Sequence, residues 1–401
     1  MIGRRLTLAA WFALSTLSLH AQLMESLAGV RLHFDDPGAR AAAMGGANVA
    51  LTNEWATNPA SLAGAKQIAI VEASHRAQTT RYVTGIGASQ LITTDVAHSS
   101  NGVSAITFVT PLSGITTSLT YDEPIDEQRS ADPAASTSNG FITVTRQGKI
   151  TFNCATCFGG GVRLPNFPLV DVSLRLQRWN GSLAWQHGPL SLGASVRYTQ
   201  AREETASDRL PYDLERIDDA SWSYVAGLKW DITPALHAGA SYESPAAVNG
   251  TQNTGTASIT TPKRFETPAT WRGGVAIDAA SNLTLAADAV GIRYSRLTRG
   301  RFNNVVPFDG MNYPDVMELH AGAEYRIGSV AVRGGWWRDP AHGLEPIGRW
   351  DSTNAQLSLL ENRSENHVTA GFSAGTRTRL DAAIDRGSRS TRVIVGVGAT
   401  Y

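Results

Sequence analysis

Ser390-Thr-Arg-Val-Ile-Val-Gly-Val-Gly-Ala-Thr-Tyr401 is the stretch whose reading decides the fold. With a period of two, Thr391, Val393, Val395, Val397, Ala399 and Tyr401 lie on one side. Arg392, Ile394, Gly396, Gly398 and Thr400 lie on the other. One face is therefore apolar and ends in an aromatic ring, while the other is small or charged. A tilted transmembrane β-strand needs about 9–11 residues with an apolar outer face and an interfacial aromatic. The stretch meets that requirement and has no polar tail.

The opposite end of the chain carries an export signal. Arg4 and Arg5 form a positive region, Leu6 to Leu19 an apolar one, and Ala21 supplies the small residue at a cleavage site before Gln22. Residues 1–21 thus read as a secretory signal peptide. No later segment approaches the ~20 apolar residues of a membrane-spanning helix. Charged residues make up 17% of the 401, the formal net charge is zero and 38 residues are glycine. That balance calls for no nucleic acid or polyanionic partner. It suits a barrel, in which lipid-facing and lumen-facing residues alternate and their hydropathies cancel.

Alternation recurs through the chain. Leu319, Ala321, Ala323, Tyr325 and Ile327 oppose His320, Gly322, Glu324 and Arg326. Trp271, Gly273, Val275 and Ile277 oppose Arg272, Gly274, Ala276 and Asp278. Strands are predicted at 66–76, 102–112, 114–124, 169–187, 190–203, 220–232, 236–248, 269–279, 283–294, 314–327, 330–339, 366–375, 379–387 and 390–401. This is an all-β fold, an antiparallel transmembrane barrel of about 14 strands. Tight turns at 230–236 and 278–283 alternate with long polar connections at 125–168, 204–219, 249–268, 295–313 and 340–365. Short periplasmic turns and long external loops give that rhythm.

Residues 22–65 break the pattern. Ala39 to Ala47 is small and helix-prone up to Gly45-Gly46, and Asn58-Pro59 starts a turn, because proline restricts the residue before it. A barrel this wide encloses space that wall side chains alone do not fill. Residues 22–65 are expected to be a plug, with 66–401 as the barrel.

Gly38-Ala-Arg-Ala-Ala-Ala-Met-Gly-Gly-Ala-Asn-Val-Ala-Leu51 followed by Asn58-Pro-Ala-Ser-Leu-Ala63 resembles the N-terminal hatch of the FadL/TodX family. Phe265-Glu-Thr-Pro-Ala-Thr-Trp-Arg-Gly-Gly-Val-Ala-Ile-Asp278 and Tyr242-Glu-Ser-Pro245 resemble strand ends of the same family. The resemblance implies an outer-membrane channel for passive uptake of long-chain fatty acids or aromatic hydrocarbons. Ligand would enter from outside, bind within the barrel, and leave sideways when the hatch shifts. PorV-type barrels, which serve protein secretion, share the Met-Gly-Gly-Ala and Asn-Pro-Ala pattern, so that role stands as the alternative. A general porin would instead need an open lumen.

The gate is expected at Asn58, Pro59 and Ala60. A fatty-acid carboxylate would need a cation, and arginine suits it through bidentate donation. Arg175, Arg197, Arg272, Arg326, Arg333 and Arg392 fall on the lumen parity, opposed by Asp278, Asp288, Glu324, Asp381 and Asp385. Arg197, Arg272, Arg326 and Arg333 are the candidate ligand partners, although pairing between neighbouring strands is the better account of any one of them. Cys154 and Cys157 read as a small disulfide in an exported protein. No G-x-S-x-G elbow or H-E-x-x-H motif is present. No enzyme activity, cofactor or metal is therefore expected. The expected partners are hydrophobic small molecules, outer-membrane lipid and, through the strand ending in Tyr401, the barrel-assembly machinery.

Overall fold

The computed structural model describes residues 33–34, 36–52, 57–86, 91–130, 142–144, 150–154, 162–163, 170–207, 215–254, 259–297, 311–343, 345–346 and 363–401. The expected signal peptide (1–21) and Cys157 lie outside the described residues, as does the side chain of Cys154, and the expected disulfide with them. Among the described residues no helix is long and apolar enough to cross a membrane.

The strands are β1 (Ile68–Ile86), β2 (Leu91–Leu112), β3 (Ile115–Ser130), β4 (Val170–His187), β5 (Leu190–Ser207) and β6 (Glu215–Thr233). β7 runs over Leu236–Glu243 and continues as Ala247–Thr254, and β8 runs over Ile259–Glu266 and continues as Thr270–Ala280. They are followed by β9 (Leu283–Ile292), β10 (Val316–Ile327), β11 (Val330–Asp339), β12 (Glu365–Ala374), β13 (Thr378–Arg386) and β14 (Ser390–Thr400). Each pairs antiparallel with its neighbours in sequence, and β14 pairs with β1, so the sheet closes on itself. The sheet has 16 hydrogen-bonded segments, but the two halves of β7 and of β8 are single bent strands, which leaves fourteen. The bends fall at Pro245 and Pro268, where proline has no N–H for the ladder. There the backbone pairs instead through Ala246 N–H to Thr267 Oγ1 at 2.8 Å.

Two expected spans were too short. The strands foreseen at 66–76 and 102–112 are the inner parts of β1 and β2, which reach residues 86 and 91. The expected loop 249–268 is largely the outer halves of β7 and β8. In both places the backbone ladder continues where apolar alternation has stopped, and alternation was the only signal the sequence offered.

The alternation itself sets the two faces. Val395 and Val397 of β14 point outward, half exposed, while Ile394 is fully buried in the lumen. Trp179, Trp185, Trp222, Trp230, Trp271 and Trp336 project from the outer surface. Trp222 and Trp230 stand on β6 eight residues apart, roughly 20 Å along the membrane normal for a strand tilted by about 40°. Such an apolar band between aromatic girdles is the exterior of an outer-membrane barrel.

One parity assignment is corrected. Leu174 and Leu176 are buried, so the lumen side of β4 is the even one. Arg175 is exposed on the outer parity, and Arg178 takes the inward position.

Candidate functional site

The described residues 36–52 and 57–65 lie inside the barrel. The helix α1 (Ala39–Ala43) packs against β11 to β14, and the 3-10 turn Pro59–Leu62 packs against β3 to β6. Between these ends the chain follows the inner wall. Three small apolar clusters join plug to wall: Ala39 and Ala43 with Ala383 and Ile394, Met44 and Leu51 with Ala276 and Ala286, and Leu62 with Ile70, Val109 and Ala184.

The wall makes room for this path with glycine. A Cβ added at Gly193, Gly227, Gly239, Gly322, Gly335 or Gly371 would fall within 3.0 Å of plug atoms. At Gly322 and Gly335 those atoms are the Met44–Gly45 backbone, and at Gly193 they are the Pro59–Ala60 backbone. Glycine is required there because backbone lies against backbone. These are the small residues that alternate on the lumen face of the sequence.

Buried polar groups then fix the register. Asp288 Oδ2 accepts from the N–H groups of Asn48 (2.6 Å) and Val49 (2.8 Å). Glu72 Oε1 accepts from Ala39 N–H at 2.9 Å, and Thr369 Oγ1 donates to the Ala43 carbonyl at 2.9 Å. Arg40 Nε donates to Glu324 Oε2 at 2.9 Å.

Asn58 is fully buried. Its Oδ1 caps the 3-10 turn by accepting from Ala60 N–H at 3.1 Å. Its Nδ2 forks, donating to the Val49 carbonyl at 2.7 Å and to the Leu228 carbonyl of β6 at 3.0 Å. One side chain thus ties two parts of the plug to the wall. Pro59 and Ala60 are likewise buried in that turn.

The candidate arginines divide between two cavities. Arg197 and Arg272 line one that faces the long-loop end, with Phe34, Pro124, Arg178 and Glu243. Arg326 and Arg333 line a cavity of about 310 Å³ next to the short turns, with Arg40 and Glu324. All four are ion-paired: Arg197 with Glu243, Arg272 with Asp36 of the plug at 3.0 Å, and Arg326 and Arg333 with Glu324. A carboxylate ligand would have to compete with these partners.

The wall is not continuous. β2 and β3 pair from Leu112–Ile115 up to Ile106–Tyr121, and there the ladder ends. Beyond that point β2 pairs with β1, and β3 with β4. At the break β3 bulges between Asp122 and Ile125, where Glu123 and Pro124 have no ladder partner. The Glu123 carboxylate fills the seam, accepting from Val103 N–H at 3.1 Å and from Arg175 Nη2 at 2.6 Å. Pro124 faces the cavity that holds Arg197 and Arg272. The sequence signal for this seam is the Glu123-Pro124 step inside an otherwise regular strand, which strand periodicity passes over.

The fourteen-strand barrel has solved counterparts. A FadL homologue of Pseudomonas aeruginosa superposes with a TM-score of 0.64 at 13% identity, over 91% of this chain and 98% of that one. This is the fold of the FadL/TodX channels. The toluene transporter TodX of Pseudomonas putida gives 0.60 at 14% identity, over 92% and 99%. The toluene transporter TbuX of Ralstonia pickettii gives 0.59 at 15% identity, over the same shares. No protein-family model matches the sequence, and no curated protein matches it. The FadL-type likeness is thus one of architecture, carried by the three-dimensional path of the chain.

Proposed function

We propose that the protein is an outer-membrane channel for passive uptake of hydrophobic compounds, with aromatic hydrocarbons or long-chain fatty acids as its ligands. The observation that carries this reading is the end of the β2–β3 ladder beside Pro124, which lines an internal cavity of a barrel whose lumen also holds the plug segment. A polar solute would gain nothing from a route that ends in the wall. A hydrophobic one would pass the polar outer leaflet inside protein and then partition into hydrocarbon at about 25 cal/mol per Å² of apolar surface. The plug residues Asn58, Pro59 and Ala60 are the proposed gate, and Arg197 and Arg272 the proposed contacts for a ligand's polar end. Both solved toluene transporters superpose over nearly their full length, which supports the reading.

The test is uptake of labelled toluene and labelled oleate by a bacterial strain lacking its own hydrophobic channels, with and without this protein. Saturable uptake of either compound is expected, and it should fall when a cysteine pair cross-links the seam. No uptake of either from a correctly inserted, heat-modifiable barrel would reject the proposal.

A further inference from the structure

Three side chains from distant parts of the chain meet at the long-loop end of the lumen. His33 belongs to the arm that precedes the plug, Glu318 to β10, and Asp339 to the end of β11. Their ligating atoms all lie within 4.8 Å of one another, and Glu318 and Asp339 are both buried. The β10–β11 ladder ends at Leu319–Arg338, and Glu318 and Asp339 are the next residues outward on the two strands. Carboxylates brought within a few ångströms on a buried face repel, and a bound cation relieves that repulsion.

The hydrogen bonding is incomplete in a directed way. Glu318 Oε1 is buried, accepts no hydrogen bond, and stands 3.6 Å from His33 Nδ1. That separation is too long for a hydrogen bond and close to the ~3.4 Å edge of a tetrahedron with metal–ligand bonds of ~2.1 Å. The other oxygen of Glu318 lies 3.3 Å from His320 Nε2. His320 Nδ1 is 2.6 Å from the Gly45 carbonyl, which only accepts, so Nδ1 carries the proton and orients the ring.

A supporting shell is present as well. His342 Nδ1 lies 3.1 Å from Asp339 Oδ1 and 2.9 Å from the Pro340 carbonyl. The His33 ring stacks on Trp337 with centroids 4.8 Å apart, and Trp337 in turn stacks on His367 at 3.8 Å. Metal-binding groups are held by outer contacts of this kind. Arg76 faces the adjoining cavity with Asp339 and His367.

We propose that His33, Glu318 and Asp339 form a site for one divalent metal ion of the zinc type, which fastens the N-terminal arm to the barrel wall. One nitrogen and two carboxylates make three protein ligands and leave a fourth position open, a set that zinc accepts. An ion would draw the most distant pair inward by about 1 Å. It would also neutralise the facing carboxylates. The inference does not rest on the transport reading, because its readout is metal binding alone.

The experiment uses the full barrel in detergent, without a polyhistidine tag, stripped with chelator and titrated with Co²⁺. One equivalent should bind and give the visible absorption bands of a low-coordinate cobalt ion, and Zn²⁺ should displace it. Glu318→Gln, nearly isosteric, and His33→Ala should each weaken binding by at least ~10-fold. Asp219→Asn, a carboxylate on β6 outside the cluster, should leave binding unchanged. Heat-modifiable mobility confirms that each variant is a folded barrel. Absence of saturable binding to the wild type, or equal affinity in both cluster variants, would overturn the proposal.

Discussion

Asn58→Ala should release the plug turn while leaving the barrel intact. The substitution keeps Cβ and removes three hydrogen bonds: the cap to Ala60 N–H at 3.1 Å, and the fork to the Val49 and Leu228 carbonyls at 2.7 and 3.0 Å. All three partners sit beside a fully buried side chain. Each lost bond costs roughly 1 kcal/mol, and a buried group left unsatisfied costs about 1–3 kcal/mol. A carbonyl has a second lone pair and some relaxation is available, so about 2–4 kcal/mol is expected for the set. At 1.4 kcal/mol per decade this raises the population of the undocked turn by about 30- to 700-fold. The assay is amide hydrogen exchange over residues 57–65 in the detergent-solubilised barrel, with hydrocarbon uptake measured in cells. Protection in β6 should persist, because its ladders to β5 and β7 are untouched. Asn58→Asp keeps the cap but replaces the donor fork with a charge facing two carbonyls, so it should open the turn further than alanine does. Exchange over 57–62 within two-fold of wild type would refute the reasoning. The plug would then be held by its glycine seat rather than by the Asn58 fork.

Gly335→Val should displace the plug instead of loosening it, since a Cβ there falls within 3.0 Å of the Met44–Gly45 backbone. Ion conductance of single barrels in a planar bilayer should rise well above the wild-type level, and a silent variant that folds normally would refute the seat. Glu324→Gln removes the carboxylate shared by Arg40, Arg326 and Arg333. Breaking a buried pair costs about 3–5 kcal/mol, and the exposure of Arg326 places this case near the lower bound. The plug arm at Arg40 should become protease-sensitive before the barrel unfolds. Simultaneous loss of both in a thermal scan would argue against a separately docked plug.

The strand periodicity of the chain was legible because it follows from sheet geometry. Residues on β10 and β14 alternate between lipid and lumen, and each side chain states its own solvent. In the outer halves of β1, β2, β7 and β8 the backbone ladder continues without apolar alternation in the sequence, and the sequence reading stopped short. Arg175 shows a related failure: parity counted from one end of β4 slipped by one residue, which moves a side chain to the opposite face.

The plug was legible only as a segment that did not alternate. Its Asn58-Pro59-Ala60 turn stood out through proline chemistry, but the partners of Asn58 come from residue 49 and from β6. Those contacts exist only after the barrel closes. The lumen arginines were visible as inward charges. Their pairing with Asp36, Glu243 and Glu324 was not, because it depends on which strands face one another across the lumen.

The sequence by itself determined a strand-built barrel with an apolar exterior, preceded by a segment that does not alternate, because alternation and turn residues are local properties of the chain. Tertiary structure alone decided where the wall parts between β2 and β3, how the glycines seat the plug, and that His33 meets Glu318 and Asp339. The glycine seat and the His33 cluster require groups more than a hundred residues apart to share a few ångströms. Only the closure of β14 onto β1 and the path of the plug through the lumen bring them there.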